Sequence, residues 1–189
     1  FQINTPFGNI PTDFSVLNQD TIWFTDREGL TGGIFRTTTG GANWQKQYYV
    51  LNNNPEKIHM VNARLGFMTL GSSTLYRTSN SGVDWTLLPG ESSYIDIKFL
   101  DSLTGFKSFG GIKKTTDGGL TWQWQILPQL NYANIMYKFS FINKDTIFGV
   151  GGIYSYPSAD RGLIYKTTNG GVNWGYQIPD TSFGIYNLW

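Results

Sequence analysis

The stretch 115–122, TTDGGLTW, decides the fold, because the chain repeats it three more times: TTTGGANW at 37–44, TSNSGVDW at 78–85 and TTNGGVNW at 167–174. Each copy follows an apolar-basic strand end (IFR, LYR, IKK or IYK), so the motif sits between two strands. Its third position is Thr39, Asn80, Asp117 or Asn169, residues whose side chains fold back onto backbone amides; capture of the amides two or three residues on is expected to nucleate a turn. The fifth position is glycine in every copy (Gly41, Gly82, Gly119 and Gly171), as a backbone at positive φ requires. The eighth is Trp44, Trp85, Trp122 or Trp174, a large ring returning to cover the hairpin.

The motif resembles the Asp-box, or BNR repeat, of β-propellers such as sialidases, sortilin-type receptors, oligoxyloglucan-acting glycoside hydrolases and the photosystem II assembly factor family. The wording TTDGGxTW is most like that of the assembly-factor-like group and of secreted bacterial repeat proteins. In all of these the box is structural, so the resemblance implies the fold and leaves the function open.

Trp-to-Trp spacings of 41, 37 and 52 residues match four-stranded propeller blades. The expected class is all-β, with four antiparallel four-stranded blades at 13–50, 57–89, 94–128 and 136–179. Inner strands are expected at 13–17, 57–61, 94–100 and 136–142, each followed by a turn bearing Asn or Asp. Residues 1–12 read as the end of a preceding blade, through FQIN at 1–4, and 182–189 (SFGIYNLW) as the first strand of a following one. That phase predicts a segment of a larger propeller, of seven blades on the family pattern, completed by further blades of the same or a neighbouring chain. The alternative is a complete small protein that dimerises through its ends.

Composition agrees with the class: 23 glycines, 16% aromatic and only 14% charged residues in 189 describe short strands and tight turns. With a net charge of +1 and scattered Lys and Arg, no basic stripe faces phosphates, so nucleic acid is not an expected partner. No apolar run spans a bilayer, and no membrane insertion is expected. Zero cysteines exclude disulfides, thiolate metal sites and a thiol nucleophile. Neither cofactor nor metal is expected, and placement as a secreted or cell-surface protein, with periplasm or lumen as alternatives, rests on the resemblance.

Function is expected on the face opposite the boxes, where loop length varies between repeats. The longest loop is 151–161 (GGIYSYPSADR), offering Tyr154 and Tyr156 for stacking on a sugar or partner side chain and Asp160 with Arg161 for polar contacts. The alternative is a longer hairpin whose rings pack on a neighbouring blade. Asp26 and Arg27 occupy the matching loop of the first blade, as part of a binding rim or a solvated turn. Trp124, two residues after Trp122, reads as inter-blade packing in preference to a ligand platform.

Catalysis finds little purchase. Arg36 and Arg77 fill the strand-end position that Lys114 and Lys166 fill elsewhere, so they belong to the repeat and form no sialidase-like arginine triad. Among 13 acids no pair stands out for glycoside hydrolysis. The single histidine, His59, has no second ligand or nucleophile beside it in sequence. The expectation is a non-catalytic scaffold binding a protein partner or a glycan. The alternatives are an assembly chaperone for a membrane-protein complex and a fragment of an Asp-box glycoside hydrolase.

Overall fold

The computed structural model describes residues 10–28, 31–51, 53–71, 73–128, 133–154 and 161–179, and in them every regular element is a β-strand. The expected end strands at 1–4 and 182–189 lie outside the described residues. The chain divides into two compact units, Phe1–Ser93 and Tyr94–Trp189, each holding two four-stranded antiparallel sheets. These are β-propeller blades, as the box spacing predicts.

In the first unit one blade is β1 (Ile10–Val16), β2 (Ile22–Glu28), β3 (Thr31–Thr37) and β4 (Gln45–Leu51). The other is β5 (Pro55–Met60), β6 (Gly66–Leu70), β7 (Thr74–Thr78) and β8 (Thr86–Leu87). In the second unit β9 (Asp96–Phe99), β10 (Gly105–Ser108), β11 (Ile112–Thr115) and β12 (Gln123–Trp124) form one blade. The last comprises β13 (Ala133–Phe141), β14 (Ile147–Tyr154), β15 (Arg161–Thr167) and β16 (Gly175–Gln177). In every blade the strands neighbour one another in sequence order, so each connection is a hairpin. Pro11 and Pro55 are tolerated because β1 and β5 are sheet edges, where a missing N–H breaks no interior ladder.

The turn from first to second strand is built identically four times. Asn18, Asn62, Asp101 and Asn143 each accept two amides, two and three residues on, at 2.7 to 3.0 Å. Such Asx turns fix the hairpin without demanding a particular side chain at the tip.

Blades within a unit are joined through inner strands and aromatic faces. In the first unit Asp13 Oδ2 accepts the Ile58 amide at 2.9 Å and Ser15 Oγ accepts that of Met60 at 2.8 Å. Behind them Trp23, Ile34, Ile58, Met60, Met68, Leu70 and Trp85 form one buried cluster. In the second unit Asp96 Oδ2 accepts the Phe139 amide at 2.8 Å, and Phe106 packs against Phe139, Phe141 and Trp174. Phe14 and Val16, which precede the first interface, stay exposed, whereas Ile58, Met60 and Phe139 at the matching register are buried.

Two strand pairs run further than the sequence suggests. The ladder β2–β3 continues through Asp26↔Gly33 and Arg27↔Gly32 to Glu28↔Thr31, and β14–β15 through Gly151↔Leu163 and Gly152↔Gly162 to Ile153↔Arg161. Paired glycines carry both extensions. At Gly32 a Cβ would sit 2.5 Å from the Asp26 carbonyl oxygen, so only glycine lets the strands stay this close. β1 begins at Ile10, three residues before the expected start, because the lengthened β2 offers it partners as far as Arg27 across a bulge at Pro11/Asp13.

Candidate functional site

The boxes are turns with a threonine at their centre. Thr37, Thr78, Thr115 and Thr167 are each 1% exposed. Each Oγ1 accepts the amides two and four residues on, at 2.9 to 3.3 Å. In three copies the hydroxyl donates in turn to the third-position side chain: Thr78 to Asn80 at 3.0 Å, Thr115 to Asp117 at 2.7 Å and Thr167 to Asn169 at 2.9 Å. In all four copies that third side chain captures the amide four residues on, as in Thr121 N to Asp117 Oδ1 at 3.0 Å, and Asp117 takes the Leu120 amide three residues on as well. The amide two residues on goes to the threonine instead.

Fourth and fifth positions are both left-handed, with φ of 61° and 91° at Gly40 and Gly41, 71° and 85° at Ser81 and Gly82, 71° and 78° at Gly118 and Gly119, and 65° and 88° at Gly170 and Gly171. The fourth-position amide donates to the turn between first and second strands, at Asp20, Arg64, Leu103 or Asp145 O. Each box is thereby tied to the Asx turn of its own blade.

Charge sets the third blade apart. Its turn and its box use carboxylates, Asp101 and Asp117, where the other blades use Asn18, Asn62, Asn143, Thr39, Asn80 and Asn169. Burial raises the Asp117 pKa, but hydrogen bonds from the Thr121 hydroxyl and amide, the Thr115 hydroxyl and the Leu120 amide outweigh it and bring it to about 2 from an ordinary 3.8. Asp101 is lowered by the amides of Thr104 and Leu103. A lowered folded pKa contributes stability that is complete above the unfolded value and is lost as pH falls through the folded one. Thermal stability is therefore expected to decline below pH 3.8 towards about 2. The double variant Asp101→Asn plus Asp117→Asn is expected to flatten that part of a melting-temperature profile; an unchanged acid limb would show that other carboxylates govern it.

Of the sequence-predicted site residues, Asp26 is placed differently from expectation. Asp26 is not in a loop: it lies in β2, is 2% exposed, and its Oδ1 accepts the Gly33 amide at 2.8 Å, so it is a structural carboxylate. Arg27, in the same strand, and Arg161, the first residue of β15, are exposed. Tyr154 belongs to β14, and its side chain, with Tyr156 and Asp160, lies outside the described residues. Hence the loop expected at 151–161 loses residues 151–154 and 161 to paired strands.

A groove that the sequence reading passed over lies in the second unit, between the outer edge of its first blade and the box of its second. It encloses about 340 Å³, lined by Thr121, Gln123, Trp124, Gln125 and Ile126 on one side and Gly171 and Val172 on the other. Lys114 also lines it, its Nζ donating to the Gly170 carbonyl at 2.7 Å. Trp124 corrects the expectation of inter-blade packing, for it is 60% exposed while Trp122 is 7% exposed. Trp122 precedes β12 and turns its edge to Phe99, centroids 5.9 Å apart, whereas Trp124 hangs on the outermost strand beside Gly111. The repeat carried the signal: the same position two residues after the box tryptophan is Lys46, Leu87 or Tyr176 elsewhere, all exposed.

Among the described residues no group of three or more His, Cys, Asp or Glu is placed to hold a metal. Seven aspartates are occupied with structure: Asp13, Asp26, Asp96, Asp101 and Asp117 accept backbone amides, Asp84 accepts the Asn80 side chain, and Asp145 pairs with Lys144.

No protein-family model matches the chain, and no curated protein matches it. Solved structures do. YCF48 from Cyanidioschyzon merolae aligns with a TM-score of 0.61 at 15% identity over 96% of this chain and 60% of its own. YCF48 bound to D1 peptide aligns at 0.50 and 14% over 90% and 83%. The GH74 xyloglucanase of Xanthomonas campestris gives 0.60 and 13% over 88% of this chain but 30% of its own. At these identities the likeness is one of fold.

Proposed function

We propose that the chain is a non-catalytic β-propeller module of a secreted or cell-surface protein, binding a protein or glycan partner through exposed aromatic and neutral polar side chains. The observation that carries this reading is the commitment of seven of its ten aspartates to structural contacts. A general acid or nucleophile needs a carboxylate directed at substrate, and here seven carboxylates hold backbone amides, a side-chain amide or a neighbouring lysine. Exposed apolar and aromatic surface is available instead, at Trp124, Ile126, Val172 and Tyr176. Exposed Arg27 in the first unit and Arg161 in the second extend the reading, the latter with Tyr154, Tyr156 and Asp160 beside it in sequence.

A propeller that engages a peptide exists in YCF48 bound to D1 peptide, which supports a protein partner, and an assembly role for a membrane protein is the neighbouring alternative. The likeness to a GH74 xyloglucanase keeps a hydrolase fragment as the competing one. The test is turnover on a broad panel of neutral and acidic glycans. No product is expected; release of sugar that disappears in a single carboxylate variant which still folds would replace this reading with the hydrolase.

A further inference from the structure

We infer that Asn169, in the box between β15 and β16, is a deamidation site that the fold holds shut and that reacts only when this box opens. The inference is independent of what the module binds. Asn169–Gly170 is the single Asn-Gly pair of the chain. In such a pair the backbone nitrogen of the glycine, once deprotonated, attacks the side-chain carbonyl carbon of the asparagine. A cyclic succinimide forms and ammonia leaves; water then opens the ring at one carbonyl or the other, giving aspartate or isoaspartate. Glycine favours the attack, because no Cβ restricts the backbone or crowds the nitrogen. The other boxes are poorer substrates: Thr39 has no amide to lose, Asn80 precedes Ser81, and Asp117 presents an ionised carboxylate, a weak electrophile.

Burial does not protect Asn169, which is exposed. Hydrogen bonds do. The attacking group, Gly170 N–H, donates to the Asp145 carbonyl at 2.9 Å, which keeps its proton in place and turns it towards the Asx turn. The group under attack is fixed as well, because Asn169 Oδ1 accepts the Thr167 hydroxyl at 2.9 Å and the Asn173 amide at 3.0 Å. From the preceding blade, Lys114 Nζ holds the Gly170 carbonyl at 2.7 Å. Ring closure needs this set of contacts to break, so its rate follows the fraction of molecules in which the box is open. The two products differ in what they allow afterwards. Aspartate fits a closed box, as Asp117 shows by accepting the Thr115 hydroxyl at 2.7 Å and the Thr121 amide at 3.0 Å. Isoaspartate lengthens the main chain by a methylene between the Asn169 and Gly171 amides, the two that Thr167 Oγ1 accepts together, and so prevents reclosure.

The test ages the full chain in mildly alkaline buffer, folded and in concentrated guanidinium chloride, and scores residue 169 by peptide mass spectrometry with chromatographic separation of the two products. Conversion is expected to be at least about a hundredfold slower in the folded chain, equivalent to an opening free energy of about 2.8 kcal/mol. Thr167→Val removes the hub of this box and should raise the folded rate at least about tenfold. Thr78→Val, the same change in a box of the first unit, should leave it unchanged. Asn169→Asp should melt at the temperature of the parent chain at neutral pH. Equal rates in the folded and unfolded chains overturn the proposal. So does equal acceleration by both valine variants, which would place the gate in global unfolding, and a destabilised Asn169→Asp would overturn the fit of the aspartate product.

Discussion

Thr115→Val is expected to cost roughly 2–6 kcal/mol of folding stability, because it strips the acceptor from one buried and one half-buried amide at about 1–3 kcal/mol each. The hydroxyl of Thr115 accepts Gly119 N at 2.9 Å and Asp117 N at 3.3 Å, donates to Asp117 Oδ1 at 2.7 Å, and sits 1% exposed where water cannot replace it. Valine has nearly the same shape, so lost packing contributes little. At about 2–4 °C per kcal/mol for a chain of this size, the loss is visible in a melting curve. Thr115→Ser restores the hydroxyl and should recover most of the stability. Hydrogen exchange locates the damage: the Asp117 and Gly119 amides should lose protection while those of Asn80 and Gly82 keep it. A serine variant as damaged as the valine one would mean that the methyl, not the hydroxyl, holds the box.

That hub shows which features of the fold were legible in the sequence. Four boxes at blade spacing announced the sheets, because a turn that needs left-handed glycine and a returning tryptophan repeats its letters whenever the backbone repeats its path. The threonine was visible in every copy, but its role was credited to the third residue, whose chemistry is the more familiar turn signal. Asp26 departs from the sequence reading because of ladder length. Whether a polar or aromatic residue near a strand end faces water depends on how far the ladder runs, and paired glycines at Gly32–Gly33 and Gly151–Gly152 extended two ladders past the point where composition suggests a loop. The groove was hidden more deeply, because its walls come from two blades 50 residues apart, as Gly171 from Thr121.

Phe106→Ala is expected to cost about 3–5 kcal/mol, the range for removing a fully buried aromatic side chain. Phe106 is 0% exposed and is the ring through which the two blades of the second unit meet, with Phe141 at 5.9 Å and Trp174 at 6.2 Å between centroids. It also explains a glycine. A Cβ on Gly171 would lie 2.9 Å from Phe106 Cε1, so the fifth box position must be bare both for its own φ of 88° and for the ring of the preceding blade. The arrangement recurs in the first unit, where Trp23 stands at the register of Phe106, is 0% exposed and donates Nε1–H to the Ser81 carbonyl at 3.2 Å. The basic strand-end residue lies directly across the ladder from this ring, Arg36 from Trp23 and Lys114 from Phe106, with cation-to-centroid distances of 4.9 and 5.5 Å. Lys114 then reaches on to the Gly170 carbonyl of the next blade, joining ring, cation and box across the interface. Lys114→Met keeps the stem over the ring and removes only the ammonium, so it should cost about 1.5–3 kcal/mol, the worth of a hydrogen bond to a charged group. If Phe106→Ala proved no more damaging than Lys114→Met, the blades would be held by the polar link and not by the ring; calorimetric melting of both variants beside the parent chain decides between them.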